Sequence, residues 1–126
     1  MRREIEDWWR QAKADLGNAE MNLNNKAYYV SVFLSHQAVE KALKALYIKK
    51  FKREVFGHRI ASFARELNVP EKFMGGIKEL NPEWIITRYP NAAGGPPVDL
   101  YTENLAKRHL KTANEILRWI GKQIEE

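Results

Sequence analysis

The chain has 126 residues, a net charge of +5, 44% apolar and 29% charged residues, and no cysteine. That length suits a single domain over residues 1–126 with a proper core, and the missing thiols exclude disulfides, thiolate metal sites and a cysteine nucleophile. Met1 runs into Arg2, Arg3 and Glu4 with no apolar signal segment, and no stretch reaches membrane-spanning length, so a cytoplasmic protein without membrane contact is expected.

From Arg3 to about Asn24, Ile5, Trp8, Trp9, Ala12, Leu16, Ala19 and Leu23 fall on one narrow stripe, which predicts an amphipathic helix with Met21 pointing away. Asn24, Asn25 and Lys26 then read as a short turn, the asparagines supplying left-handed backbone, and the next helix returns antiparallel. That helix, Tyr28 to Phe51, is apolar over a wider arc than a surface helix needs, and Ala38, Ala42 and Ala45 allow close approach of another backbone. It is the expected hub. Its other side carries a polar stripe of Gln37, Glu40, Lys41 and Lys44, which reads either as a solvated face with a Glu40–Lys44 pair or as a partner surface.

After the hub the pattern breaks at Phe51–Gly57 and resumes as a short helix over His58–Leu67, which Val69-Pro70 ends. Residues 71–80 offer Phe73, Met74, Ile77 and Leu80, but Gly75 and Gly76 predict a poor, irregular helix. Asn81 to Val98 reads as a long irregular loop, with Tyr89 pushed toward extended backbone by Pro90. The last helix is expected from about Asp99, as N-cap, to Ile124. Its buried stripe includes His109, opposite a basic line of Lys107, Lys111, Arg118 and Lys122. The fold expected is all-α: an up-and-down bundle of four to five helices with an irregular loop before the last long helix.

Chemical motifs are sparse. No histidine has a glutamate three residues before it, so a di-iron bundle site is not encoded, and neither a metal nor a cofactor is expected. Serines at 31, 35 and 62 lack a nucleophile-elbow context, and Gly94-Gly95 leads into prolines and not into a phosphate-binding helix. Metal-free RNA cleavage asks for less: an imidazole near neutral pKa and a cation for the phosphorane. Arg88 and His109 are the candidates, with Tyr89 and Tyr101 nearby; alternatively Arg88 anchors the loop and the others pack. A second basic cluster, Lys49, Lys50, Lys52, Arg53, His58 and Arg59, is interleaved with Phe51 and Phe56 and suits either a helix C-terminus or single-stranded RNA.

Three stretches together, SHQAVEKALKALY at Ser35–Tyr47, TRYP at Thr87–Pro90, and Tyr101 before an alanine-bearing helix, resemble the HEPN domain, the higher eukaryote and prokaryote nucleotide-binding domain, in its subgroup with a TRYP motif. The resemblance implies a helical bundle, commonly a homodimer, often working beside a minimal nucleotidyltransferase in toxin–antitoxin-like systems. It carries a ligand-binding role for nucleotide or RNA onto Arg88, Tyr89, Pro90 and Tyr101, and a weaker partner role onto Glu40, Lys41 and Lys44. Toxin members place an Arg and a His with four to six residues between them near the last helices; here Arg88 and His109 are much further apart, and Arg53 and His58, with four residues between them, follow the hub instead. The leading expectation is a dimeric accessory or binding module. The alternatives are a metal-independent endoribonuclease toxin and a purely structural partner subunit.

Overall fold

A computed structural model describes residues 2–125 of the chain. Four longer helices, α1 (Arg2–Asn24), α2 (Tyr28–Phe51), α4 (Glu71–Leu80) and α7 (Glu103–Glu125), are joined by three short ones, α3 (Ile60–Glu66), α5 (Glu83–Ile86) and α6 (Pro90–Ala93), and by a 3-10 turn at Pro97–Asp99. No strand occurs among the described residues.

The hub is α2, which packs along both α1 and α7. Ala38, Ala42 and Ala45 are completely buried, and the core extends through Val39, Leu43, Ile77, Leu80, Ile116 and Ile120. Small side chains bring the backbones together, so many large residues reach the same interior. Polar ties join the first two helices as well, among them Ser31 Oγ, which donates to the Ala19 carbonyl at 2.7 Å. Met21 is exposed, as the stripe of α1 requires. The α1–α2 turn differs from expectation in its residue: Lys26, with φ of 64°, takes the left-handed conformation.

Past α2 the chain doubles back. Lys52, at φ 59°, closes the helix by donating to the Ile48 carbonyl at 2.9 Å. Residues 53–59 then climb along the hub, so that His58 is level with Glu40 while Glu66, at the end of α3, meets the Tyr47 hydroxyl at 2.8 Å. Hence α3 runs parallel to α2, and α4 returns antiparallel to both, its end held by Asn81 Oδ1 accepting from the Ala61 amide.

Three stretches depart from the sequence reading. Residues 71–80 form a regular helix despite Gly75 and Gly76, and the reason lies in packing: a β-carbon at Gly76 would stand 2.7 Å from Thr112 Oγ1, so glycine is what lets α4 lie against α7. The last helix starts at Glu103 and not near Asp99, because the Thr102 hydroxyl accepts from the Leu105 amide at 3.2 Å and caps it, while Asp99 ends the 3-10 turn. The stretch before it is more structured than a loop, holding α5, α6 and that turn, and Tyr89 is extended at φ −126°.

Candidate functional site

The 83–101 segment is anchored from beneath. Glu83, at the start of α5, is buried and accepts a very short hydrogen bond from the Tyr101 hydroxyl. Burial raises the Glu83 carboxyl above the usual carboxylate range, with the Tyr101 hydrogen bond opposing. The Thr87 hydroxyl donates to the Glu83 carbonyl, and Tyr101 packs with Val32 and Ala106 in a small second core that also takes up Ile86. Tyr101 is therefore a strut and not a surface residue.

Above that strut, Arg88, Tyr89 and Pro90 are exposed, Tyr89 at 47%. The Arg88 guanidinium lies 4.9 Å from the ring centre of Phe33 on α2, a cation–π contact that fixes the cation at the surface and leaves it charged. Of the four loop positions expected to bind ligand, three are together and open, and the fourth holds them up. His109 is elsewhere in character: 3% exposed on α7, its pKa pushed down by burial, with Glu79 opposing and Arg108 adding. Arg88 and His109 have different neighbours, Phe33 and His36 for one, Glu79 and Arg108 for the other.

The polar stripe of α2 is not a solvated face. Glu40 and Lys44 are 4% and 7% exposed, while Gln37 and Lys41 are half-buried. The expected Glu40–Lys44 pair forms at 3.2 Å, but within the molecule: Glu40 also lies 2.8 Å from His58 Nδ1 and 3.9 Å from His36 Nδ1. Trp8 of α1 covers the Lys44 ammonium at 5.3 Å, and Lys41 turns to the buried Asp15 at 2.6 Å. One carboxylate thus sits among three basic groups. The stripe looked solvated because His58 and Trp8, which cover it, come from other elements.

His36 is fully buried, and neither ring nitrogen makes a well-formed hydrogen bond among the described residues. Desolvation pulls its pKa down to about 4 against the attraction of Glu40, and the charges of His58 and Arg88 pull the same way as burial. Neutral His36 consequently lies between the Arg88 loop and the Glu40–His58 pair. Among the described residues no group of three or more His, Cys, Asp or Glu is arranged to hold a metal ion.

In the sequence His58 stands out as a member of a basic cluster and as the partner of Arg53 in an Arg–His spacing that falls after the hub, whereas Trp84 carries no signal. In the fold their rings stack at 4.5 Å and 26° beside an open cleft of about 420 Å³. Lys49, from the same cluster, does serve a helix C-terminus, but that of α7, donating to the Gln123 and Ile124 carbonyls at 2.6 and 2.9 Å.

Compared with known families, residues 5–124 match the HEPN domain. A curated relative from Methanocaldococcus jannaschii, "Putative toxin MJ1304", is 29% identical over 130 residues, covering 93% of this chain and 86% of its own. Among solved structures, TT1696 from Thermus thermophilus superposes with a TM-score of 0.88 at 32% identity, over 94% of this chain and 96% of that one. ST0689, described as an archaeal HEPN homologue, gives 0.82 at 33%, covering 95% and 97%. A HEPN domain protein of Thermotoga maritima, tm0613, gives 0.75 at 27%, covering 95% and 98%.

Proposed function

Because the chain belongs to the HEPN domain family, we propose that it is a toxin–antitoxin-related binding module, dimeric, working with a minimal nucleotidyltransferase and taking nucleotide or RNA on the face made by Arg88, Tyr89 and Pro90. The observation that carries this reading is the Arg88 guanidinium held at the surface over Phe33 beside a half-exposed Tyr89, with Tyr101 and Glu83 bracing the segment below. A charge for phosphate and a ring for a base are the two elements such ligands need. The relative named as a toxin and the net charge of +5 support it.

The test is binding of labelled single-stranded RNA and of ATP to the purified protein and to Arg88→Ala. The variant should lose most of the binding at an unchanged melting temperature, since Arg88 is exposed. Equal binding would remove this face from consideration. Complex formation with a nucleotidyltransferase but with no ligand would favour the structural-subunit reading instead.

One observation favours a second reading, a metal-independent endoribonuclease. The His58 imidazole, held through Nδ1 by Glu40 and 40% exposed in its side chain, is oriented as an acid–base group, whereas His109 is too buried to reach a strand. This reading predicts cleavage of end-labelled RNA that survives chelator, disappears in His58→Ala and persists in a folded His109→Asn. Cleavage lost only in the His109 variant would return the role to His109.

A further inference from the structure

We propose that the cleft between the 52–59 connection and α5 is a base-stacking subsite for single-stranded RNA, so that the ligand is a strand and not a mononucleotide. This rests on the reading of the Arg88 face given above and extends it to a second place.

The cleft is lined by Phe56, His58, Arg59, Ser62, Phe63 and Trp84, and its walls are mostly apolar. Phe56 is 83% exposed, a large ring left in water where no packing in the chain requires it. Phe63 and the stacked His58–Trp84 pair make the other walls, and the His58 ring is fixed by its bond to Glu40. A planar, flat-faced guest suits such walls better than an aliphatic one. No carboxylate lines the cleft, and Glu40 behind His58 is already matched by Lys44, so the field at the mouth is set by Arg59 and favours an anion.

The two places repeat one pattern. Arg88 is followed by exposed Tyr89; Arg59 stands beside exposed Phe56. Each is a cation for a phosphate next to a ring for a base. They lie on one side of the hub, since Arg88 covers Phe33 and His58 is bonded to Glu40, two turns or about 10 Å further along α2. A mononucleotide has one base and fills one ring site; a strand fills both and places phosphates at both arginines.

The experiment uses the full chain and a fluorescent, single-stranded 2′-O-methyl oligoadenylate, which lacks the 2′-hydroxyl needed for self-cleavage, with AMP as the short competitor. The expected results are strand binding at least about tenfold tighter than AMP, and a loss of about tenfold in Phe56→Ala, the value of one base–aromatic stack. Arg59→Ala should weaken binding and flatten its salt dependence. Phe56→Ala should melt with the wild type, which separates lost binding from lost fold. Strand affinity unchanged in both variants while Arg88→Ala loses it would overturn the subsite and leave the proposed function standing; the cleft would then hold a protein side chain or nothing. Loss in Phe56→Ala but not in Arg88→Ala would support the cleft and sink the Arg88 face. AMP binding as tightly as the strand, or no strand binding by the wild type, would overturn the inference.

Discussion

His58 Nδ1 lies 2.8 Å from Glu40 Oε1, joining residues 18 apart in sequence and pinning the doubled-back connection to the middle of the hub helix. Glu40 and Lys44 form a nearly dry ion pair at the same point. Removing one member of such a pair strands the other charge, at a cost of about 3–5 kcal/mol. Glu40→Ala should show a loss of this size in urea unfolding, and Lys44→Met added to it should recover a large part. A single variant that unfolds like the wild type would mean that water reaches the pair freely.

The depressed pKa of His36 gives stability a pH dependence of definite sign. Native His36 stays neutral down to about pH 4, while in the unfolded chain it takes a proton near 6.5. Between those values the unfolded state binds more protons, so stability should fall as pH drops from about 6.5 and level off below about 4. His109, shifted down by burial, acts in the same direction. The His36 contribution is at most about 3 kcal/mol by this linkage. Urea midpoints across the window should fall less steeply in His36→Met than in the wild type; parallel curves would refute the assignment.

Gly75 and Gly76 should respond to alanine with opposite signs. A β-carbon at Gly75 meets nothing within 4 Å, so Gly75→Ala should stabilise by up to about 1 kcal/mol through helix propensity. At Gly76 it would meet three atoms of Thr112 at 2.7–3.3 Å, and Gly76→Ala should destabilise despite the same propensity gain. Thr112→Ala should rescue it. Thermal melts of the four proteins decide the matter.

Tyr101→Phe deletes one hydroxyl, yet it takes from the buried Glu83 its hydrogen-bond donor. The expected cost is about 1–3 kcal/mol, with faster amide exchange concentrated in residues 83–100. Ligand affinity should drop less than in Arg88→Ala, because Tyr101 positions the binding loop from below and does not face the solvent. An affinity loss larger than that of Arg88→Ala would place Tyr101 in the binding surface itself.

What the sequence made legible was local. The breadth of the α2 arc, the outward Met21, the buried His109 and the extended Tyr89 all follow from spacing or from a neighbouring proline, and each is where it was expected. What it hid depends on partners brought from afar. Glu40 and Lys44 recur as a solvated stripe would, and His58, itself stacked on Trp84, together with Trp8 turns that stripe inward. Gly76 reads as a weak helix residue until Thr112 is placed against it. The start of α7 was missed because Asp99 and Thr102 are both competent caps, and the 3-10 turn claims the first. The loop residues of the candidate site stood out by type, while the aromatic cleft, assembled from the 52–59 connection and α5, had no contiguous signature.

The hub draws its two long neighbours from opposite ends of the described chain, α1 before it and α7 after everything else. A nascent chain leaving the ribosome can pair α1 with α2 at once, but the side of α2 that meets α7 has no cover until residues 103–125 emerge. Through roughly fifty residues of synthesis that surface is greasy and open, and it is the same surface by which newly made copies would adhere to one another. Docking of α7, fastened by Lys49 over the Gln123 and Ile124 carbonyls, is what closes that surface.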